Sequence, residues 1–177
     1  PCPAPLTASP TDVDYGHETC PAPPYIAGTC TNGICIEESL KVDGGGNPYI
    51  VFTGALPFRM MNIQEERAFD GRGNRLTYAV TAMLTDSDTY TEGEGAISVL
   101  DVNGDSATST ANSADFVVIS HGMNSEGSYN KMGVQSFPCP AGTLEEENCD
   151  NDTVYREGLR QRDFDDQVIY STNSGRT

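Results

Sequence analysis

The acids and the cysteines carry what chemistry this chain can offer. Asp101-Val102-Asn103-Gly104-Asp105 places oxygen side chains at alternate positions, as at the start of an EF-hand loop, where hard oxygen ligands suit a calcium ion. The glycine, however, stands fourth instead of sixth, position twelve is Asn112 instead of Glu, and an Asn-Gly hairpin turn uses the same letters. Ser120-His121 with Asp115 supplies the residue types of a hydrolase triad, but neighbours on a strand point to opposite faces and no G-x-S-x-G elbow occurs. Asp165-Asp166 and Glu145-Glu146-Glu147 are paired carboxylates of the sort that cleave glycosides, yet the chain has no Trp to stack a sugar, and solvated acids are the simpler reading. The sequence thus predicts no enzyme.

Six cysteines, Cys2, Cys20, Cys30, Cys35, Cys139 and Cys149, form an even set in polar, loop-like sequence, the signature of disulfides in an oxidising compartment. Pairing of sequence neighbours is expected: Cys2 with Cys20, Cys30 with Cys35 across Thr31-Asn32-Gly33, and Cys139 with Cys149. Zinc is disfavoured because there is no C-x-x-C and neither His17 nor His121 has a paired ligand spacing. Gly44-Gly45-Gly46 precedes no helix and no G-K-[ST], so it reads as a connector and not a phosphate loop. Asn151-Asp152-Thr153 matches a glycosylation acceptor.

A formal charge of −16 over 177 residues, with only ten Lys plus Arg, excludes nucleic acid and an anionic membrane surface as partners. No run reaches the roughly 18 apolar residues of a membrane helix. One domain over 1–177 is expected. Residues 1–48, rich in Pro, Gly and Thr, form a loop-rich segment tethered by disulfides, and residues 49–177 form a sheet body.

The elements that must position these residues centre on 54–84. Asn62 predicts an N-cap and Ile63 to Phe69 a short helix, stopped at Asp70-Gly71-Arg72-Gly73-Asn74, where two glycines and an Asn allow a tight reversal. Leu76, Tyr78, Val80 and Ala82 then alternate with Arg75, Thr77, Ala79 and Thr81, the period of a half-buried strand. Further strands are expected near Ile34 to Leu40, at the sheet edge over Tyr49 to Thr53, over Ala96 to Val102 with a reversal at Asn103-Gly104, in mid-sheet over Phe116 to Ser120, and over Gln167 to Ser171. Residues 130–162 read as irregular, with a brief helical turn at Glu145 to Glu147. The sum is an α+β class verging on mainly β: an antiparallel sheet of four to five strands with one short helix.

Four stretches carry a resemblance. Asp70 to Tyr78, DGRGNRLTY, resembles the D-x-W-G-N-x-x-x-Y corner of pseudopilins, the relatives of type IV pilins that build the pseudopilus of type II secretion. FVVISHGMNSEGSY at 116–129, PCPAGTLEEENCD at 138–150 and DFDDQVIYST at 163–172 follow in the family's order, and the opening PCPA is similar to the point where a pilin head leaves its long helix. The resemblance implies a globular head whose N-terminal apolar helix lies outside this chain, an extracytoplasmic filament of self and other pilin-like subunits, membrane contact only through that helix, and an exposed apolar strip where the helix packs. It makes Asp70, Gly71, Gly73 and Asn74 the fold corner and Cys139 and Cys149 the clamp of the C-terminal loop. No cofactor is required beyond a possible calcium ion. Major pseudopilins hold calcium by the loop after the S-x-G strand; here that loop, MNSEGSYNK, has Glu126 as its only acid, and Asp163, Asp165 and Asp166 contribute only if folding gathers them.

Overall fold

A computed structural model describes residues 1–161 and 163–172. The chain forms β1 (Thr29–Thr31), β2 (Ile34–Val42), β3 (Pro48–Ala55), β4 (Thr77–Thr81), β5 (Ser98–Leu100), β6 (Ala114–Ser120), β7 (Val154–Arg156) and β8 (Gln167–Thr172). Six of these make one antiparallel sheet in the order β1-β2-β3-β4-β6-β8, and β5 pairs with β7 in a separate two-stranded parallel sheet.

The α+β expectation with one short helix is corrected: among the described residues the fold is mainly β with six strands in its sheet, and its helical pieces are three 3-10 turns. The helix expected over Ile63 to Phe69 is a four-residue 3-10 turn, Glu65–Ala68, and Asn62 sits at φ 54 without acting as its cap. Four residues cannot recover the cost of nucleating an α-helix, and the amide of Ile63 is already committed to the Phe58 carbonyl at 2.8 Å. The edge strand expected at Tyr49 to Thr53 is interior, since β3 pairs with both β2 and β4. β4 is buried on both faces, with Thr77, Ala79 and Thr81 as inaccessible as Tyr78 and Val80, because a second layer covers the face its polar alternation assigned to solvent.

That second layer is the β5–β7 sheet. Ile97, Val99 and Tyr155 close over Val51, Ala79, Ala114, Val117 and Ile119. Burying each aliphatic side chain of this kind contributes about 1.5–3 kcal/mol. On the opposite face, Phe52, Tyr78 and Val80 pack under the N-terminal segment and residues 56–68, through Cys2, Ala8, Tyr15, Leu56, Phe58 and Ala68. This cover thins toward β6 and β8: Phe116 and Val118 are partly buried and Ile169 is 69% exposed.

Arg75 fastens the N-terminal segment. Its guanidinium, 4% exposed, donates to the carbonyls of Pro5 and Asn130 at 3.1 Å, Lys131 at 2.9 Å and also Ala8, and lies 5.0 Å from the Tyr15 ring centre. A strand position that alternation gave to solvent is therefore a buried clamp. Three disulfides, Cys2–Cys20, Cys30–Cys35 and Cys139–Cys149, join neighbours in sequence and leave no free cysteine. They indicate an oxidising, extracytoplasmic compartment. No helix among the described residues is long and apolar enough to cross a membrane.

One loop geometry recurs four times. In Asp43–Asn47, Asp70–Asn74, Asp101–Asp105 and Asn130–Val134, the first side chain's Oδ1 accepts the third and fifth amides at 2.8–3.2 Å. Backbone bonds join the first and fifth residues, and the fourth is glycine at φ 75–88, where a Cβ would strain the turn.

Candidate cation site

The first candidate metal loop is one of these turns. Asp101 spends Oδ1 on the amides of Asn103 and Asp105, at 2.8 and 3.0 Å, and Oδ2 on the Asn103 side chain at 3.1 Å. Those bonds hold the Asp101 carboxyl below its usual range, the Asp105 amide contributing most. Gly104 in the fourth place is the residue the turn needs. Asp101, Asn103 and Asp105 are thus placed as a surface reversal after β5, and the chain returns as a loop bridging Leu100 to Ser106 instead of a second hairpin strand.

A different set of carboxylates converges. Glu145 precedes the 3-10 turn Glu146–Asn148 inside the Cys139–Cys149 loop, and Asp165 and Asp166 lead into β8; one oxygen from each lies within 4.8 Å of the others. Glu145 and Asp166 are 4% and 3% exposed. Around them the bonds are specific. The Asn124 side-chain amide donates to Glu145 Oε2 at 2.6 Å and the Asp165 backbone amide to Glu145 Oε1 at 2.6 Å. The Met123 amide donates to Asp165 Oδ2 at 2.8 Å, and Asn148 Nδ2 to Asp166 Oδ2 at 3.0 Å. Asn148, 1% exposed, also grips the backbone of Arg156 at 2.8 and 3.1 Å, fixing the disulfide loop to β7.

Two oxygens are left over. Asp165 Oδ1 and Asp166 Oδ1 are buried without a hydrogen-bond partner. Burial, reinforced by Glu145, Asp165 and Glu126, pushes the Asp166 carboxyl up to about 8, and burial likewise raises Glu145. Arg160 lines the adjoining 460 Å³ cavity with Glu126, Asp163 and Asp165, but its guanidinium rests on the Met123 sulfur at 2.9 Å. Three acids pressed together with two orphaned oxygens are costly as anions, and a hard cation relieves that cost. The donor set is all oxygen, which suits Ca²⁺.

The fold therefore gathers Asp165 and Asp166, the C-terminal D-D pair, beside the loop after β6, and adds Glu145, which the sequence offered as one of three consecutive acids and not as a cation ligand. The signal for Glu145 was its place within a short disulfide loop, where a helical turn must aim one of three consecutive acids inward. Asp163 lines the cavity without joining the cluster.

The remaining candidates are placed elsewhere. His121, 1% exposed, shares a 2.8 Å bond between Nε2 and Thr77 Oγ1, and burial lowers its pKa to about 4. It faces a 40 Å³ polar chamber with Thr53, Tyr155 and Asn148, whereas Ser120 lines a separate surface groove with Val118 and Ile169. The corner at Asp70, Gly71, Gly73 and Asn74 turns the chain into β4. The Asn74 side chain carries it further, donating to Ser125 at 2.8 Å and accepting from Ser136 at 3.0 Å, so the loop after β6 hangs from the corner. Comparison with family models, with curated proteins and with solved structures finds no match to this chain.

Proposed function

We propose that the chain is the head of a subunit of an extracytoplasmic, pilus-like filament, a building block and not a catalyst. The observation that carries this reading is the incompletely covered sheet face beside Pro1. A 240 Å³ groove lined by Pro1, Tyr78, Val80 and Phe116, and a 540 Å³ groove in which Leu76, Val118, Met123 and Ile169 lie beside Asp70, Arg72, Arg160 and Asp165, follow the strands where the cover over β6 and β8 runs out. An apolar helix delivered at Pro1 would bury this strip and supply the filament core. The reading rests on that face and on the order of the four sequence islands; it does not rest on a shared α+β fold, which this chain lacks.

The test uses the full-length subunit. Val118→Asp together with Ile169→Asp is expected to abolish filament assembly in cells while the isolated head unfolds within a few degrees of the parent. The sequence encoded just before Pro1 is expected to hold a prepilin-type cleavage site and an apolar helix. A conventional cleaved signal peptide there, or normal filaments from the double variant, would refute the proposal.

The carboxylate cluster favours a second feature, compatible with a filament head and with a secreted calcium-binding adhesin alike. Glu145, Asp165 and Asp166 would hold one Ca²⁺ that ties the disulfide loop, the loop after β6 and the start of β8 together.

A further inference from the structure

The carboxylate cluster is part of a larger site. Glu145 and Asp165 also line the 460 Å³ cavity, and the rest of its lining is Asn124, Glu126, Thr143, Arg160, Gln161 and Asp163. Every one of these side chains is polar, whereas cavities that take drug-like ligands are lined mostly by apolar groups. The cavity opens to solvent, because Asn124, Thr143, Arg160, Gln161 and Asp163 are exposed. The loop after β6, the Cys139–Cys149 loop and the stretch between β7 and β8 meet there, and each is held from behind. Ser125 accepts from the Asn74 side chain at 2.8 Å, Asn148 fixes the disulfide loop to β7, and Gln161 and Phe164 exchange backbone hydrogen bonds at 2.8 and 3.4 Å beside the fully buried Phe164 ring. A fixed, wholly polar cavity of this kind suits a hydroxylated ligand.

A cation held by Glu145, Asp165 and Asp166 would be short of ligands. The Met123 amide and Asn148 take Asp165 Oδ2 and Asp166 Oδ2, so each aspartate presents chiefly its orphaned Oδ1, and Glu145 adds a third carboxylate. Ca²⁺ takes about six to eight oxygens. Glu126 and Asp163 line the cavity but stand outside the cluster. Asp166, 3% exposed and bonded to the buried Asn148, closes the inner side, so the unfilled positions face the cavity that Glu145 and Asp165 line. Two adjacent hydroxyls of a sugar ring are a neutral oxygen pair that replaces two waters on such an ion without adding charge. Neutrality matters, since Glu126 and Asp163 in the wall repel an anion. Coordination to the ion also supplies what a chain without Trp lacks, an aromatic platform for the ring.

We propose that this cavity binds neutral sugars through Ca²⁺: the ion held by Glu145, Asp165 and Asp166 takes a vicinal hydroxyl pair, and Thr143, Arg160 and Gln161 bond the neighbouring hydroxyls. Arg160 makes no ion pair among the described residues, so its donors remain for a neutral acceptor. This inference rests on the calcium reading of the cluster and deepens it by naming what completes the coordination shell. It gives the head a means of attaching to a glycan surface.

The experiment follows the amide shifts of the nitrogen-15-labelled chain during titration with methyl α-mannoside, methyl β-galactoside and methyl β-glucoside, which between them present cis and trans vicinal pairs, in excess Ca²⁺ and again in EDTA. Calcium alone is expected to shift the amides of Glu145, Asp165 and Asp166. At least one glycoside is then expected to shift Asn124, Thr143 and Gln161 in Ca²⁺ only, saturating with a Kd of about 1–10 mM, and its fully O-methylated form to shift nothing. Thr143→Val with Gln161→Leu should weaken the glycoside at least about fivefold and leave the calcium affinity unchanged. Asp166→Asn should abolish both responses. A calcium response with silence from all three glycosides, glycoside shifts that persist in EDTA, or glycoside shifts at another surface would overturn the sugar site and leave the calcium reading standing. Absence of any calcium response would overturn both.

Discussion

His121 shows what burial does to a single residue. Its pKa falls from 6.5 to about 4 because the ring is sealed from water beside Thr77, a cost that the charge of Asp70 offsets only in part. The unfolded chain therefore binds a proton near pH 6.5 that the folded chain refuses until about pH 4. The associated stability is complete above pH 6.5 and is lost as pH falls toward 4, by about 3 kcal/mol. Asp152, raised to about 7 by burial, acts in the opposite sense, since its folded form keeps a proton the unfolded chain has released. A difference measurement separates them: His121→Gln, whose amide can reach Thr77, should flatten the denaturant-midpoint profile between pH 6.5 and 4 relative to the parent. At the carboxylate cluster, Ca²⁺ at one hundred times its dissociation constant should stabilise the fold by about 2.7 kcal/mol, a rise of about 5–10 °C in Tm over the chelated protein. Asp166→Asn should remove most of that calcium response, and Asp101→Asn should leave it intact.

At the scale of elements, the five-residue turns explain how a chain so rich in Gly, Asn and Asp holds its shape. Each closes on its own first side chain, so reversals at 43–47, 70–74, 101–105 and 130–134 need little help from the core. Their glycines are the sensitive positions. Gly104→Ala, at φ 88 with the Arg156 guanidinium no nearer than 4.0 Å, should cost about 1–2 kcal/mol in chemical denaturation, a backbone effect and not a packing one. If instead the segment were a metal loop, the loss would appear in calcium affinity and not in the stability of the chelated protein. The same local closure was legible as turn chemistry in Asp70-Gly71-Arg72-Gly73-Asn74 and in Asn103-Gly104. The sequence predicts a helix at 63–69 because Gln64, Glu65 and Glu66 favour helix locally, whereas the neighbouring Pro57–Ile63 loop and the return to Leu76 leave room for one 3-10 turn.

For the whole molecule, the two faces of the main sheet have unequal fates. The β5–β7 pair covers one face fully, while cover on the other thins from β4 toward β8. The same asymmetry that leaves Ile169 exposed leaves room for an apolar partner beside Pro1, which the paired substitutions at Val118 and Ile169 test.

Cysteine count, charge and turn residues determined much from the sequence alone: a disulfide-stapled, acidic, strand-rich chain with a glycine corner leading into a strand. These are short-range matters, fixed by residue chemistry and by neighbours a few positions away. Only the tertiary structure decided that β7 exists, that β3 is interior, that Arg75 is a buried clamp, and that Glu145 meets Asp165 and Asp166. Each depends on contacts between segments distant in sequence, Arg75 with Pro5 or Asn124 with Glu145, and no local period records which distant segment will arrive to bury a residue or to share its charge.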